Sequence, residues 1–174
     1  MLLCYESANV GPLPFGASIR RELWGYDYLI PVVGGALRYA VRDAQQLSEN
    51  SPAVIYPENS YFAEVLNQTE RPFATQRNTA NPVCETAFSS GIKELVLTGI
   101  GVGWLPYSMV YREIEAGELI SLGNSYGKEQ LEVAVLEEGV LLGIQRLADI
   151  EAERRNPVRL VLVEVVLEVD EALA

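Results

Sequence analysis

No histidine occurs anywhere in the 174 residues, and that absence removes the usual general base for a serine or cysteine nucleophile. A metal would have to be held by carboxylates, and no acidic spacing in the chain matches a calcium loop. No cofactor is implied. Cysteine is nearly as scarce: Cys4 and Cys84 build no disulfide framework and fit a reducing compartment. Thirteen Lys and Arg against 24 Asp and Glu leave a net charge of -11, which argues against nucleic-acid binding by this chain, since phosphate neutralisation needs clustered cations. Long apolar runs are missing too. Nothing approaches about 18 consecutive apolar residues, and the start MLLCYESANV has no basic leader ahead of an apolar stretch. The expectation is a soluble cytoplasmic protein with no membrane contact.

What remains is globular composition, 49% hydrophobic and 21% charged, in a chain of one-domain length. Met1 to Tyr5 reads as a strand. IRREL alternates, pauses at Trp24 and Gly25, and gives way to YDYLIPVVGG, whose β-branched and aromatic residues suit a strand. Pro31 inside that run belongs at an edge, a bulge or a crossover. ALRYAVRDAQQL has apolar residues on one helical face, Ala53 to Tyr56 is a brief strand, and PENSYFAEVLNQ is a turn entering a helix with Asn59 or Ser60 as its cap. Phe73 to Thr79 reads as a strand closed by the turn residues Ala80, Asn81 and Pro82.

A helix is expected from Glu85 to Thr98, with Phe88, Ile92, Leu95 and Val96 as its core face and Gly99 as its stop. Strand GVGW follows, then a helix opened by Pro106 and closed at Gly117, with Glu113 and Glu115 on its solvated side, then a strand from Leu119 to Leu122. The alternation from Ala53 to Leu122 implies an α/β fold with a mostly parallel sheet flanked by helices. NSYGKE is a turn, LEVAVLEE a strand, and Val140 to Arg155 a helix. The tail NPVRLVLVEVVLEVDEALA fits either a helix or a strand.

The segments LVLTGIGVGWLP and REIEAGELISL together give a helix, a glycine-bounded strand ending in proline, a helix closing on glycine and a short strand. That succession resembles the second half of the effector-binding domain of LysR-type transcriptional regulators. Weaker agreement runs back through AVIYPENSYFAEVL, YDYLIPVV and MLLCYES, so it covers residues 1–136. SYFAEVLNQ and GVGWLP are similar in wording to the hypochlorite-responsive subgroup. The resemblance implies a periplasmic-binding-protein-like fold of two α/β lobes joined by two crossing strands, with a small-molecule effector in the cleft and no catalysis. Residues 1–34 would be a partial first lobe and the first crossing strand, 35–123 a complete second lobe, and 124–174 the return strand and C-terminal helices. The winged helix-turn-helix and the opening part of the first lobe have no counterpart here, which leaves a homodimer of the family's kind as an open expectation.

Within that frame Asn59, Ser60 and Tyr61 are candidate effector contacts, because a helix N-terminus offers unpaired N–H groups to an anion. Ordinary capping explains the same residues. Thr79, Asn81 and Cys84 precede the next helix, in the loop where the family places effector contacts, and a capped turn is again the alternative. Two such helix starts would converge on the sheet's carboxyl edge. Cys84 near a helix start could carry a lowered thiol pKa; a buried, unreactive thiol is the other reading. Cys4 lies in an apolar strand and packs. GIGVG lacks GxGxxG order and follows a helix, so it is not a phosphate cradle. Gly99 stops a helix, and Gly101 and Gly103 allow close packing. Two other functions fit less of the sequence: a stand-alone periplasmic-type solute-binding module and a cysteine-dependent enzyme using Cys84.

Overall fold

The computed structural model describes residues 2–15, 19–44, 47, 50–68 and 81–138. In chain order these form β1 (Leu2–Glu6), β2 (Ile19–Gly34), α1 (Leu37–Ala44), β3 (Pro52–Ile55), α2 (Tyr61–Asn67) and β4 (Asn81–Glu85). There follow α3 (Ser89–Leu97), β5 (Gly103–Pro106), α4 (Tyr107–Glu115), β6 (Leu119–Ser121), α5 (Gly123–Tyr126) and β7 (Glu129–Glu138). The strand expected at 73–79 and the segments expected after 138 lie outside the described residues.

The 16-residue β2 is the spine. Its first part pairs antiparallel with β7 from Ile19 opposite Glu138 to Leu29 opposite Glu129, and β1 lies on the far side of β7. Its last part pairs with β5 on one side and β6 on the other. The pause at Trp24 and Gly25 is a register shift in the β2–β7 ladder, where an extra residue sharpens the local twist. Pro31 sits at a handover. Pairing with β7 ends at Leu29 and pairing with β6 begins at Val32, so the missing N–H falls between two partners, while the Pro31 carbonyl accepts from Leu122 N at 2.8 Å.

The parallel part of the sheet is smaller than the sequence pattern implies. All pairings in the sheet containing β1, β7, β2, β5 and β6 are antiparallel. Parallel pairing among the described residues is confined to β3 with β4 and to a bridge from Ala53 to Val102 that docks this pair beside β5. The long strands β2 and β7 account for most of the antiparallel content, pairing with each other over ten positions and with β1, β5 and β6 at their flanks.

The core lies between these strands and α2, α3 and α4. Leu29, Val32, Val65, Leu66, Ile92, Val96, Leu105 and Val110 are each fully buried within one cluster. Gly103 makes this close packing feasible: a Cβ there would stand 2.6 Å from Ile92 Cγ2 and 2.8 Å from Val96 Cγ2. Gly99 ends α3 with φ +83°, a conformation glycine adopts without strain.

The expected helix from Glu85 begins four residues late. Asn81–Glu85 instead forms β4, with Pro82 opposite Ala53 and a register shift immediately after it, where a proline is accommodated in a strand. Phe88, expected in the core, precedes the first turn of α3 and is 51% exposed. Pro106 closes β5 and caps α4 rather than occupying its first turn. The NSYGKE turn overlaps the single helical turn α5, which begins one residue earlier at Gly123.

Candidate functional site

The carboxyl ends of the parallel neighbours β3 and β4 form one edge, and a helix starts from each. Beyond β3, buried Tyr56 places its hydroxyl 2.8 Å from Ser89 Oγ, which ties the edge of β3 to the first turn of α3. Ser60 caps α2: its Oγ donates to Pro57 O at 2.7 Å and accepts from Ala63 N at 3.3 Å. Asn59 is exposed beside it. Beyond β4, Thr86 N donates to Ile55 O at 3.0 Å, and Thr86 Oγ1 accepts from Phe88 N at 3.3 Å. Open α/β sheets offer ligands such an edge.

Tyr61 already has work for its hydroxyl. It accepts from Ser7 N at 2.6 Å and donates to Gly11 O at 3.2 Å, pinning the turn after β1 to α2. Burial pushes its phenol up to about 12, against the Ser7 amide, which favours the ionised form.

Two of the expected contacts stand elsewhere. Asn81 opens β4 opposite Pro52, and its N donates to Ser51 O at 3.1 Å; it is therefore at the amino end of the strand, away from Ser60. Cys84 lies in β4 opposite Val54 and packs half-buried on the core, five residues before α3 rather than at its start. Thr79 lies outside the described residues. Sequence reasoning missed Tyr56, Thr86 and Ser89, which hold the positions expected of Asn81 and Cys84. The hydroxyl-rich TAFSS ahead of the helical repeat was the available signal.

A second polar cluster joins β1, β2 and α4. Asp27 is buried and accepts from Tyr5 Oη at 2.9 Å, from Tyr28 N at 2.7 Å and from Ser108 N at 3.3 Å. It thereby satisfies an amide in the first turn of α4 from the middle of β2. Tyr5 Oη also lies 3.0 Å from Ser108 Oγ. Burial first, and then the Asp27 charge, hold the Tyr5 phenol far above its ordinary range, with the Ser108 hydrogen bond offsetting part of this. Glu113 is not merely a solvated residue. It meets Lys93 Nζ at 2.6 Å, clamping α3 to α4. Burial would raise its carboxyl, yet the Lys93 hydrogen bond and charge hold it below the ordinary value. Cys4 is half-buried in β1, and burial, assisted by Glu6, pushes its thiol up to about 11. Among the described residues no group of three or more Cys, Asp or Glu could hold a metal, and no helix is long and apolar enough to cross a membrane.

Residues 11–136 match the LysR substrate binding domain. The chain belongs to that family. No curated protein matches the sequence. Among solved structures, the regulatory domain of HypT from Salmonella typhimurium superposes with a TM-score of 0.64 at 20% identity, over 88% of this chain and 69% of that one. Full-length HypT, a hypochlorite-specific LysR-type transcriptional regulator, gives 0.61 at 18% over 88% of this chain. DarR from Vibrio fischeri, solved in complex with DNA, gives 0.63 at 15% over 89%. This chain spans 50% of each of these two longer regulators. At such identities the likeness is one of fold: the α/β, periplasmic-binding-protein-like fold of LysR regulatory domains.

Proposed function

We propose that this chain is the ligand-sensing region of a LysR-type transcriptional regulator and that it binds a small anionic effector at the carboxyl edge of β3 and β4. The observation that carries the reading is the convergence there of two helix starts, α2 and α3, joined by the Tyr56–Ser89 hydroxyl pair, in a chain whose residues 11–136 match the family's substrate-binding domain. Asn59 and Ser60 supply the first side of the site, and Thr86 and Ser89 the second. Thr79, Asn81 and Cys84 take a secondary part, Asn81 from the amino end of β4 and Cys84 from within it. Backbone N–H groups at both starts would offset the chain's acidity locally.

The lobe assignment belongs to the same reading: residues 1–34 as partial first lobe and crossing strand, 35–123 as second lobe, and 124–174 as return strand and closing segment. So does action in the cytoplasm, without DNA contact by these residues, and assembly as a homodimer. No catalytic step is included. Calorimetric titration with a panel of small carboxylates and their neutral amides tests the proposal. Saturable binding of at least one carboxylate, weakened about tenfold or more in Ser89→Ala, is expected. Equal heats for acids and amides throughout the panel would overturn it.

A further inference from the structure

The face of the β2–β7 ladder opposite Asp27 carries a groove that the effector site does not use. Tyr26 pairs with Glu132 and Tyr28 with Gln130, so strand alternation puts these four residues on one face. Asp27 pairs with Leu131 and faces the other way. The turn Ser7–Asn9 borders one side of this open groove and the segment Gly123–Lys128 the other, with a volume of about 1010 Å³ between them. The Lys128 ammonium lies 4.0 Å from the centroid of the Tyr28 ring. The charged residues of the lining are that one lysine and two carboxylates, Glu129 and Glu132, in a chain of net charge -11.

We propose that this groove binds a small organic cation, with an alkylammonium group on the Tyr28 ring and Glu132 as its carboxylate partner, and that Lys128 is the competitor the protein carries for that ring. An aromatic face attracts an ammonium through its quadrupole, and a neighbouring carboxylate adds attraction that the negative field of the whole chain reinforces. The volume suits an organic molecule rather than a bare ion. An anion meets the opposite situation: the single cation in the lining is already turned onto a ring, and the carboxylate of Glu132 shares the face of that ring. The lining shares no residue with the α2 and α3 starts, so this site stands or falls apart from the effector proposal.

Lys128 makes the inference testable in an unusual direction. The whole chain is titrated with tetramethylammonium chloride, against sodium chloride at equal ionic strength, while NMR follows the Tyr28 ring and the Lys128 ε-carbon. The expected result is a saturable shift of the Tyr28 ring accompanied by displacement of Lys128. Removing the competitor in Lys128→Gln should tighten binding about threefold or more. Glu132→Gln should weaken it, Tyr28→Leu should abolish it, and Tyr28→Phe, which keeps the ring, should preserve it. If Tyr28→Leu fails to fold, Lys128→Gln decides the matter. Unshifted Tyr28 signals, or weaker binding in Lys128→Gln, would overturn the proposal. Saturable binding of sodium benzoate that depends on Lys128 would also overturn it, by making the groove an anion site.

Discussion

From Asp27 to Gly34, β2 is buried at every position except Tyr28, whereas from Ile19 to Tyr26 every position of the same strand is half-buried or exposed. Both halves sit in antiparallel ladders, so hydrogen bonding does not distinguish them. Packing does. The buried half meets β5, β6 and the helices, and its Leu29 and Val32 share a cluster with Ile92 and Val96. The open half carries Leu23 at 45% and Tyr26 at 58% exposure. The lesson is that the buried half is held by close-fitting apolar contacts and the other half chiefly by its ladder and by polar pins: Asp27 at the boundary, and the Glu6–Arg21 pair at 3.6 Å with Arg21 also donating to Leu13 O.

Substitutions can break or sharpen that contrast. The largest effect is expected in the packed region. Ile92→Ala leaves a cavity beside Gly103 and should cost about 2–5 kcal/mol, measured by urea unfolding with an unchanged slope. A cost below about 1 kcal/mol would mean that the cluster around α3 is loose. A middling effect belongs to the pins. Tyr61→Phe removes both hydrogen bonds to the Ser7–Gly11 turn and should cost about 1–2 kcal/mol at neutral pH.

The pH dependence of this pin has a definite sign. The Tyr61 phenol titrates at about 12 in the folded chain, against an ordinary value of 10.0 once the chain unfolds. Its contribution is therefore complete below pH 10 and is lost as pH rises from 10 to 12. Stability measured across that window should fall less steeply in Tyr61→Phe than in the parent chain. An identical slope would show that the phenol is not held neutral by the fold. The smallest effect belongs to the open half: Leu23→Ser should shift stability by no more than about 0.5 kcal/mol, and a larger loss would show that this face is covered.

Much of this arrangement was legible in the sequence because local signals and tertiary packing agreed. Gly99, Gly103 and the apolar spacing of Ile92 and Val96 specify the helix, its stop and the strand behind it without reference to the rest of the chain. The pause at Trp24 and Gly25 likewise announced the register shift. The failures cluster where pairing overrides local chemistry. Asn81 and Pro82 carry turn chemistry, yet pairing with β3 draws them into β4. That displacement carries Cys84 into the strand, leaves Phe88 outside the helix and moves the candidate polar edge to Thr86 and Ser89. Antiparallel pairing of β2 with β7 joins residues 100 or more positions apart, and no short-range pattern encodes it. The Tyr5–Asp27–Ser108 cluster was invisible for the same reason, since its members come from three separate elements.

An anionic effector is proposed to meet the two helix starts at the shared edge of β3 and β4. Amide chemical shifts of the whole chain, followed during titration with the best-binding carboxylate of the panel, test it most directly. The account predicts saturable shifts concentrated at Ser60 to Ala63 and at Thr86 to Ser90, with β6 and the open half of β2 unmoved. Saturable shifts confined to any other surface, with those two segments unchanged, would contradict it.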